Sequence, residues 1–207
     1  MKYPERYIAW DLETDGFNAE TGSHILEIGA ALIEGGEIKE KKSWLLNHNV
    51  EIPDHITAIN TITKELLDAE GIEPRKALDE FFAFFKVDTP HLTHNGIRFD
   101  IPFLVESARL IYGLSADKTQ DLRARLYATA IDTAVIVKGK KLEMDRNWNE
   151  SFKEYADRVM EVRAPGVKYN VALCCEELEI QVEGIQMHRA LGDVTLTHEI
   201  FKRVAAL

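Results

Sequence analysis

Cysteine is scarce in this 207-residue chain: there are two, and they are neighbours, Cys174 and Cys175. Adjacent cysteines are poorly placed to pair with one another, and two are too few for a structural zinc site without a second cluster. Long apolar runs are missing as well. No stretch approaches the ~18 consecutive apolar residues of a membrane span, and the opening MKYPERYIAW carries charges and no apolar run of signal-peptide length. The expectation is a chain with no membrane partner in a reducing, cytoplasmic compartment, its cysteines acting as small buried hydrophobes or surface thiols. Basic charge is in deficit: 25 Lys and Arg stand against 35 Asp and Glu, a net charge of −10. That balance argues against a protein that grips long duplexes by neutralising many phosphates, since such binders need a basic face. It does not exclude an enzyme of nucleic acids.

Internal repeats, low-complexity tracts and Gly/Ser- or Pro-rich linkers are also absent. What is present, 45% hydrophobic residues over this length, suffices for one domain with a substantial core. Residues 6–12 alternate around Ile8, Trp10 and Leu12 and predict a strand ending at the Asp15-Gly16 turn. Residues 24–32 and 37–46 predict two more strands, joined by a hairpin at Gly35-Gly36. Residues 47–61 read as a loop. Helices are expected from Thr63, over 74–85, over 100–112 with Asp100 as cap, and over 121–130, 147–163, 171–178 and 190–204. A short strand is expected at 91–94, and 131–137 fits either element. Strands first, then helix–strand–helix, predict a mixed α/β domain with helices on a central sheet. Residues 139–168, which follow the start of the Lys138-Gly139-Lys140-Lys141 run, read as an insertion on a single domain spanning 1–207, with the lysines in a solvated loop.

Chemistry-bearing residues fall in three places. Asp11 and Glu13 are two apart on the first strand, so they share the face opposite Ile8, Trp10 and Leu12. Neighbouring carboxylates repel and are costly to bury unless they share a cation, and a divalent ion prefers such oxygen ligands. The same pair also fits a strand turning acidic as it leaves the core. Asp100, in His94-Asn95-Gly96-Ile97-Arg98-Phe99-Asp100, can cap its helix or face a site at the strand ends, and Phe99 offers a ring to a base or to the core. His188 and Asp193 flank the start of the last helix, where an acid also complements the helix dipole.

Three local patterns, in order, carry a resemblance: Trp10-Asp11-Leu12-Glu13-Thr14-Asp15-Gly16; His94-Asn95 with Phe99-Asp100 and Phe103-Leu104; and His188-Arg189-Ala190-Leu191-Gly192-Asp193. With Ile131-Asp132-Thr133 between the second and third, they resemble the DEDDh branch of the DnaQ-like 3′–5′ exonucleases over nearly the whole chain except 139–168. The resemblance implies an RNase H-like α/β fold, a five-stranded mixed β-sheet flanked by α-helices. It implies two divalent metal ions, Mg²⁺ or Mn²⁺, held by Asp11, Glu13, Asp100 and Asp193, with His188 taking a proton from the attacking water. It places Thr14, Gly16, Phe17, Asn60, Asn95 and Phe99 near the 3′-terminal nucleotide. Asn60-Thr61 stands where many relatives carry a His-Gly pair, and Thr does not readily replace Gly where positive φ is needed.

The implied activity is hydrolysis of terminal phosphodiesters of single-stranded ends, releasing nucleoside 5′-monophosphates. DNA of the proofreading or repair type is the first reading, and an exoribonuclease of the oligoribonuclease or RNase T type the alternative. From another class, a non-catalytic module binding a polymerase or nucleic acid is disfavoured, because all four acids and the histidine are present. The implied partner is nucleic acid with a free 3′ end, and a polymerase acting in trans is the further partner the resemblance allows.

Overall fold

The computed structural model describes residues 4–206. Alternation along β1 (Arg6–Thr14) divides the core in two. Ile8, Trp10 and Leu12 enter one apolar cluster, whereas Tyr7 and Ala9 enter a second on the opposite face of the sheet. β1 pairs antiparallel with β2 (Ile25–Glu34), which pairs antiparallel with β3 (Glu37–Leu45) through the Gly35-Gly36 turn. Both turn glycines take positive φ, 60° and 78°, the conformation a two-residue hairpin needs and only glycine adopts at no steric cost.

After β3 the chain forms α1 (Asp54–Asn60), α2 (Lys64–Glu70) and α3 (Pro74–Phe85). It then returns as β4 (His91–Thr93), which lies parallel to β1. α4 (Asp100–Tyr112) and α5 (Ala116–Thr129) lead to β5 (Ala130–Asp132), parallel to β4. α6 (Thr133–Lys141), α7 (Phe152–Glu161), α8 (Val171–Glu177) and α9 (Ala190–Ala206) complete the chain. The sheet order is β3-β2-β1-β4-β5. This is the expected five-stranded mixed sheet flanked by helices.

Trp10 anchors the first cluster against Phe81 and Phe85 of α3, and its indole N–H donates to His91 Nδ1 at 2.8 Å. Burial pushes His91 down to about 4, so it stays a neutral core residue. On the other face, α9 packs Val194, Leu196, Ile200 and Phe201 against Tyr7, Ala9, Ala31 and Ile33. Cys174 and Cys175 are buried there as free thiols, and His198 is buried with Nδ1 2.8 Å from the Tyr7 hydroxyl.

Several local expectations are corrected. The loop expected over 47–61 contains α1, which starts after Pro53 and buries Ile56 beside Leu26, Ile62 and Leu67 in a third cluster. α7 begins at Phe152 and not at 147, because Ser151 and Glu154 close a capping box there. α5 starts earlier than expected, at Ala116, with Ser115 as its cap. Asp100 is the first residue of α4 rather than its cap, and its carboxylate accepts from the Leu12 N–H at 3.2 Å on β1.

The run Lys138–Lys141 lies in α6, not in a solvated loop. Lys138, 4% exposed, donates to the carbonyls of Met160 and Val162, and Lys141 donates to that of Lys168. Lys141 also pairs with the Glu177 carboxylate at 2.5 Å, while Lys138 is held by carbonyls of 139–168. That segment also places Tyr155, Ala156 and Val159 in the main core.

Candidate active site

The face of β1 that carries Tyr7 and Ala9 continues through Asp11 to Glu13, and α9 begins over that end of it. Their meeting point gathers acids. Ligand oxygens of Asp11, Glu13 and Asp193 lie within 4.8 Å of one another, and the three residues are partly buried. A bulge between Glu13 and Thr14 ends the regular pairing with β2 beside the cluster, where such irregularities re-aim side chains. Asp100 approaches from α4 through its bond to the Leu12 N–H.

The electrostatics are those of anions crowded without enough cations. Burial, then the neighbouring Asp100, Asp193 and Glu13 carboxylates, holds the Asp11 carboxyl well above the usual range. Burial, with Asp193 and Glu27 beside it, pushes Glu13 up to about 8. Burial raises Asp100 to about 7 against the opposing hydrogen bond from Leu12, and it raises Asp193 against the bond from the His188 N–H. A group of hard oxygen donors this close, unwilling to ionise unaided, has the chemistry of a divalent-cation site.

His188 is exposed, its backbone in the left-handed region at φ 57° with its N–H donating to Asp193 Oδ1 at 3.4 Å. A bulky residue held at positive φ is strained, and such strain is tolerated where the surroundings fix it. Thr61 also takes positive φ, 61°, at the end of α1, so threonine does occupy here the conformation for which glycine was expected to be needed. Its hydroxyl accepts from Gln186 Nε2 at 3.2 Å, tying α1 to the loop that carries His188. Asn60 is buried and accepts from the Ile62 N–H at 3.0 Å.

Thr14 donates its hydroxyl to the Gly16 carbonyl at 2.7 Å, and Gly16 packs on Ser23, whose Oγ a Cβ would approach to 2.3 Å. Phe17, 88% exposed, and Phe99, half-buried, line one groove beside the cluster. Asn95, at φ 63°, donates its N–H to Asp132 Oδ1 at 2.8 Å. Asp132, the N-cap of α6, also binds the Ile97 and Ala134 N–H groups and so fixes the turn leading to Phe99 and Asp100.

Sequence reading missed two residues of this region, Glu27 and Arg189. Glu27 stands opposite Glu13 on β2 and is 2% exposed. Its carboxylate accepts from Arg189 Nε at 2.8 Å and Nη2 at 3.1 Å, from the Ala190 N–H at 3.2 Å and from the Ser43 hydroxyl. The pair ties the first residue of α9 to the sheet. A lone acid inside the apolar run 25–33 was the available signal, but its partner is 162 residues away.

Gly29, the partner of Asp11 on β2, lets α9 approach this closely. A Cβ there would lie 2.5 Å from the Ala190 carbonyl carbon and 2.7 Å from the Leu191 nitrogen, both backbone atoms. Gly29→Ala is therefore expected to destabilise by about 1–3 kcal/mol, the usual cost of overpacking, read as a lower urea midpoint.

The sequence profile described as Exonuclease (RNase_T) matches residues 8–201. The DNA polymerase III subunit epsilon of Rickettsia conorii is 26% identical over 197 residues, covering 95% of this chain and 72% of that one. The 3′-5′ exonuclease DinG of Bacillus subtilis is 31% identical over 100 residues, 48% of this chain and 10% of its own length. Among solved structures, E. coli exonuclease I in complex with a dA16 oligonucleotide superimposes with a TM-score of 0.70 at 15% identity, over 98% of this chain and 41% of that one. The chain thus spans a minor part of DinG and of exonuclease I, and most of the epsilon subunit. The structural likeness identifies the sheet and its helices as the RNase H-like fold.

Proposed function

We propose, for a chain that belongs to the DnaQ-like exonuclease family, that it hydrolyses the terminal phosphodiester of single-stranded DNA from the 3′ end and releases nucleoside 5′-monophosphates. The observation that carries this reading is the cluster of Asp11, Glu13 and Asp193, with Asp100 behind it, inside the region the family profile matches. Five carboxylates, Glu27 included, stand against one guanidinium, that of Arg189. The resulting deficit of four positive charges is what two divalent ions supply.

Asp11, Glu13 and Asp193 would hold those ions, with Asp100 in support, and Mg²⁺ or Mn²⁺ suits an all-oxygen donor set. Bound there, the ions would supply Lewis-acid stabilisation of the phosphodiester and would favour ionisation of the attacking water. His188, exposed beside Asp193 and outside the acid cluster, would take a proton from the attacking water at its imidazole. Phe17 and Phe99 offer aromatic faces to the terminal base, while Thr14 and Gly16 shape the turn between the acids and Phe17.

Choice of DNA over RNA rests on the epsilon relatives, which align along 95% of this chain. Because those relatives are named as polymerase subunits, a polymerase is the proposed protein partner.

The test is digestion of 5′-labelled single-stranded DNA, 3′-overhang duplex and short RNA with Mg²⁺ or Mn²⁺. A 3′-shortening ladder on DNA, abolished by EDTA, is the expected result. Intact DNA and RNA in both metals would overturn the reading, and faster digestion of RNA would transfer it to the ribonuclease side.

A further inference from the structure

Cations on this acidic surface are mostly engaged. Around α4 and α5, Arg109 pairs with Glu106, Arg125 with Asp88 and Lys153 with Asp157. Arg98 and Arg123 differ. Among the described residues, neither guanidinium makes a hydrogen bond or ion pair with a protein group. Arg98 is exposed, in the turn before α4, and Arg123 is half-buried on α5. A guanidinium with no protein acceptor keeps its donors available to an anion.

Both line the same groove, an opening of about 320 Å³ between the turn Ala19–Thr21 and helices α4 and α5. Phe17 and Phe99 line it as well. Phe99 immediately precedes Asp100, and Phe17 lies four residues beyond Glu13, so the chain joins two of the groove's lining residues closely to the acids. Of its two acids, Glu106 is taken by Arg109, which leaves exposed Glu20 at the rim. An exposed ring beside two unpaired guanidinia fits a base with phosphates on either side of it.

We propose that this groove holds the strand just upstream of its 3′-terminal nucleotide, with Arg98 and Arg123 on successive backbone phosphates. The proposal rests on the exonuclease reading above and adds to it how an acidic protein grips its strand. Two phosphate contacts make a short grip. The protein therefore binds a few terminal nucleotides weakly and with modest salt dependence.

The experiment compares Arg98→Ala/Arg123→Ala with the unaltered protein on two substrates, the p-nitrophenyl ester of thymidine 5′-monophosphate, which has no upstream strand, and the oligonucleotide dT8. The expected result is an approximately tenfold fall in the ratio of kcat/KM for dT8 to that for the ester, carried by KM. The size is that of losing hydrogen bonds to charged groups. The slope of log KM for dT8 against log salt should also decrease by roughly 1.4, about 0.7 for each phosphate on a single strand. Arg98→Glu repeats the test at an exposed position that does not disturb the packing of α5. An unchanged ratio and slope, or equal losses on both substrates, would overturn the proposal. If the unaltered protein cleaves neither substrate, the exonuclease reading fails separately, and anisotropy of fluorescein-labelled dT8 in EDTA then decides. Binding that depends on Arg98 and Arg123 upholds the groove; binding indifferent to them, or none, removes it.

Discussion

Asp11→Asn is expected to abolish hydrolysis and, in metal-free buffer, to raise the melting temperature. Loss of activity follows from the position of Asp11 at the centre of the cluster, in electrostatic contact with Asp100, Asp193, Glu13 and Glu27. Stabilisation of bound charge by a metal ion is worth several kcal/mol, and at about 1.36 kcal/mol per tenfold this corresponds to a loss on the order of 10³-fold. The gain in stability comes from the same contacts, because the amide keeps the shape of the carboxylate without its repulsion. Each kcal/mol so recovered raises the melting temperature of a chain this size by roughly 2–4 °C. Excess Mg²⁺ should reverse the order, since only the folded state with its acids intact gains from binding the ion. Calorimetric melts of both proteins, with and without Mg²⁺, check the crossover independently of any activity assay; parallel shifts in the two proteins would count against a metal at Asp11.

The same acids give the metal-free protein an unusual pH dependence. Glu13 titrates at about 8 in the folded chain, and burial also raises Asp11, Asp100 and Asp193. In the unfolded chain such carboxyls titrate near ~4. Between those limits the folded state binds more protons than the unfolded state, so stability falls as pH rises through that window. Below about 4 both states are protonated and the contribution is fully present; above about 8 it has been lost. Urea midpoints in EDTA should therefore decline from pH 5.5 to 8, and the decline should be shallower in Asp11→Asn.

Much of this arrangement was legible in the residues, and the parts that were not share a cause. β1 announced itself through strict alternation, which also put Asp11 and Glu13 on one face, and α3 through Leu78, Phe81 and Phe85 at helical spacing. Such signals are local. α1 carries only seven residues, with Ile56 as its one inward-facing apolar side chain, so its composition matches that of a polar loop until Leu26 and Leu67 are brought against it. Lys138 reads as a solvated charge because nothing near it in sequence reveals that the carbonyls at the end of α7 will surround its ammonium. Asp100 reads as a cap because the β1 amide it actually binds is 88 residues away. Tertiary contacts decide these residues, and composition near them does not.

Glu27 and Arg189 are the strongest case of that kind, and separating them should be the most damaging change to stability outside the apolar core. Arg189→Met leaves the Glu27 carboxylate buried at 2% exposure, opposite Glu13 and near Asp11 and Asp193, with only the Ala190 N–H and the Ser43 hydroxyl to satisfy it. Removing one partner of a buried pair costs roughly 3–5 kcal/mol because the other charge is stranded. Since Arg189 remains partly open to solvent, the lower end applies, and a fall in melting temperature of about 6–12 °C is expected. Glu27→Gln/Arg189→Met removes both charges and keeps a side chain that can accept from the Ala190 N–H, so most of that loss should be recovered. Hydrolysis should recover with it, because the Ala190 anchor holds the start of α9, and with it the spacing of His188 and Asp193 from the β1 acids. A double variant as unstable as Arg189→Met would mean that the guanidinium acts through packing along its stem and not through the Glu27 charge. Recovered stability without recovered hydrolysis would instead assign Arg189 a direct part at the acid cluster, where it is the nearest guanidinium to offset the Glu13 charge.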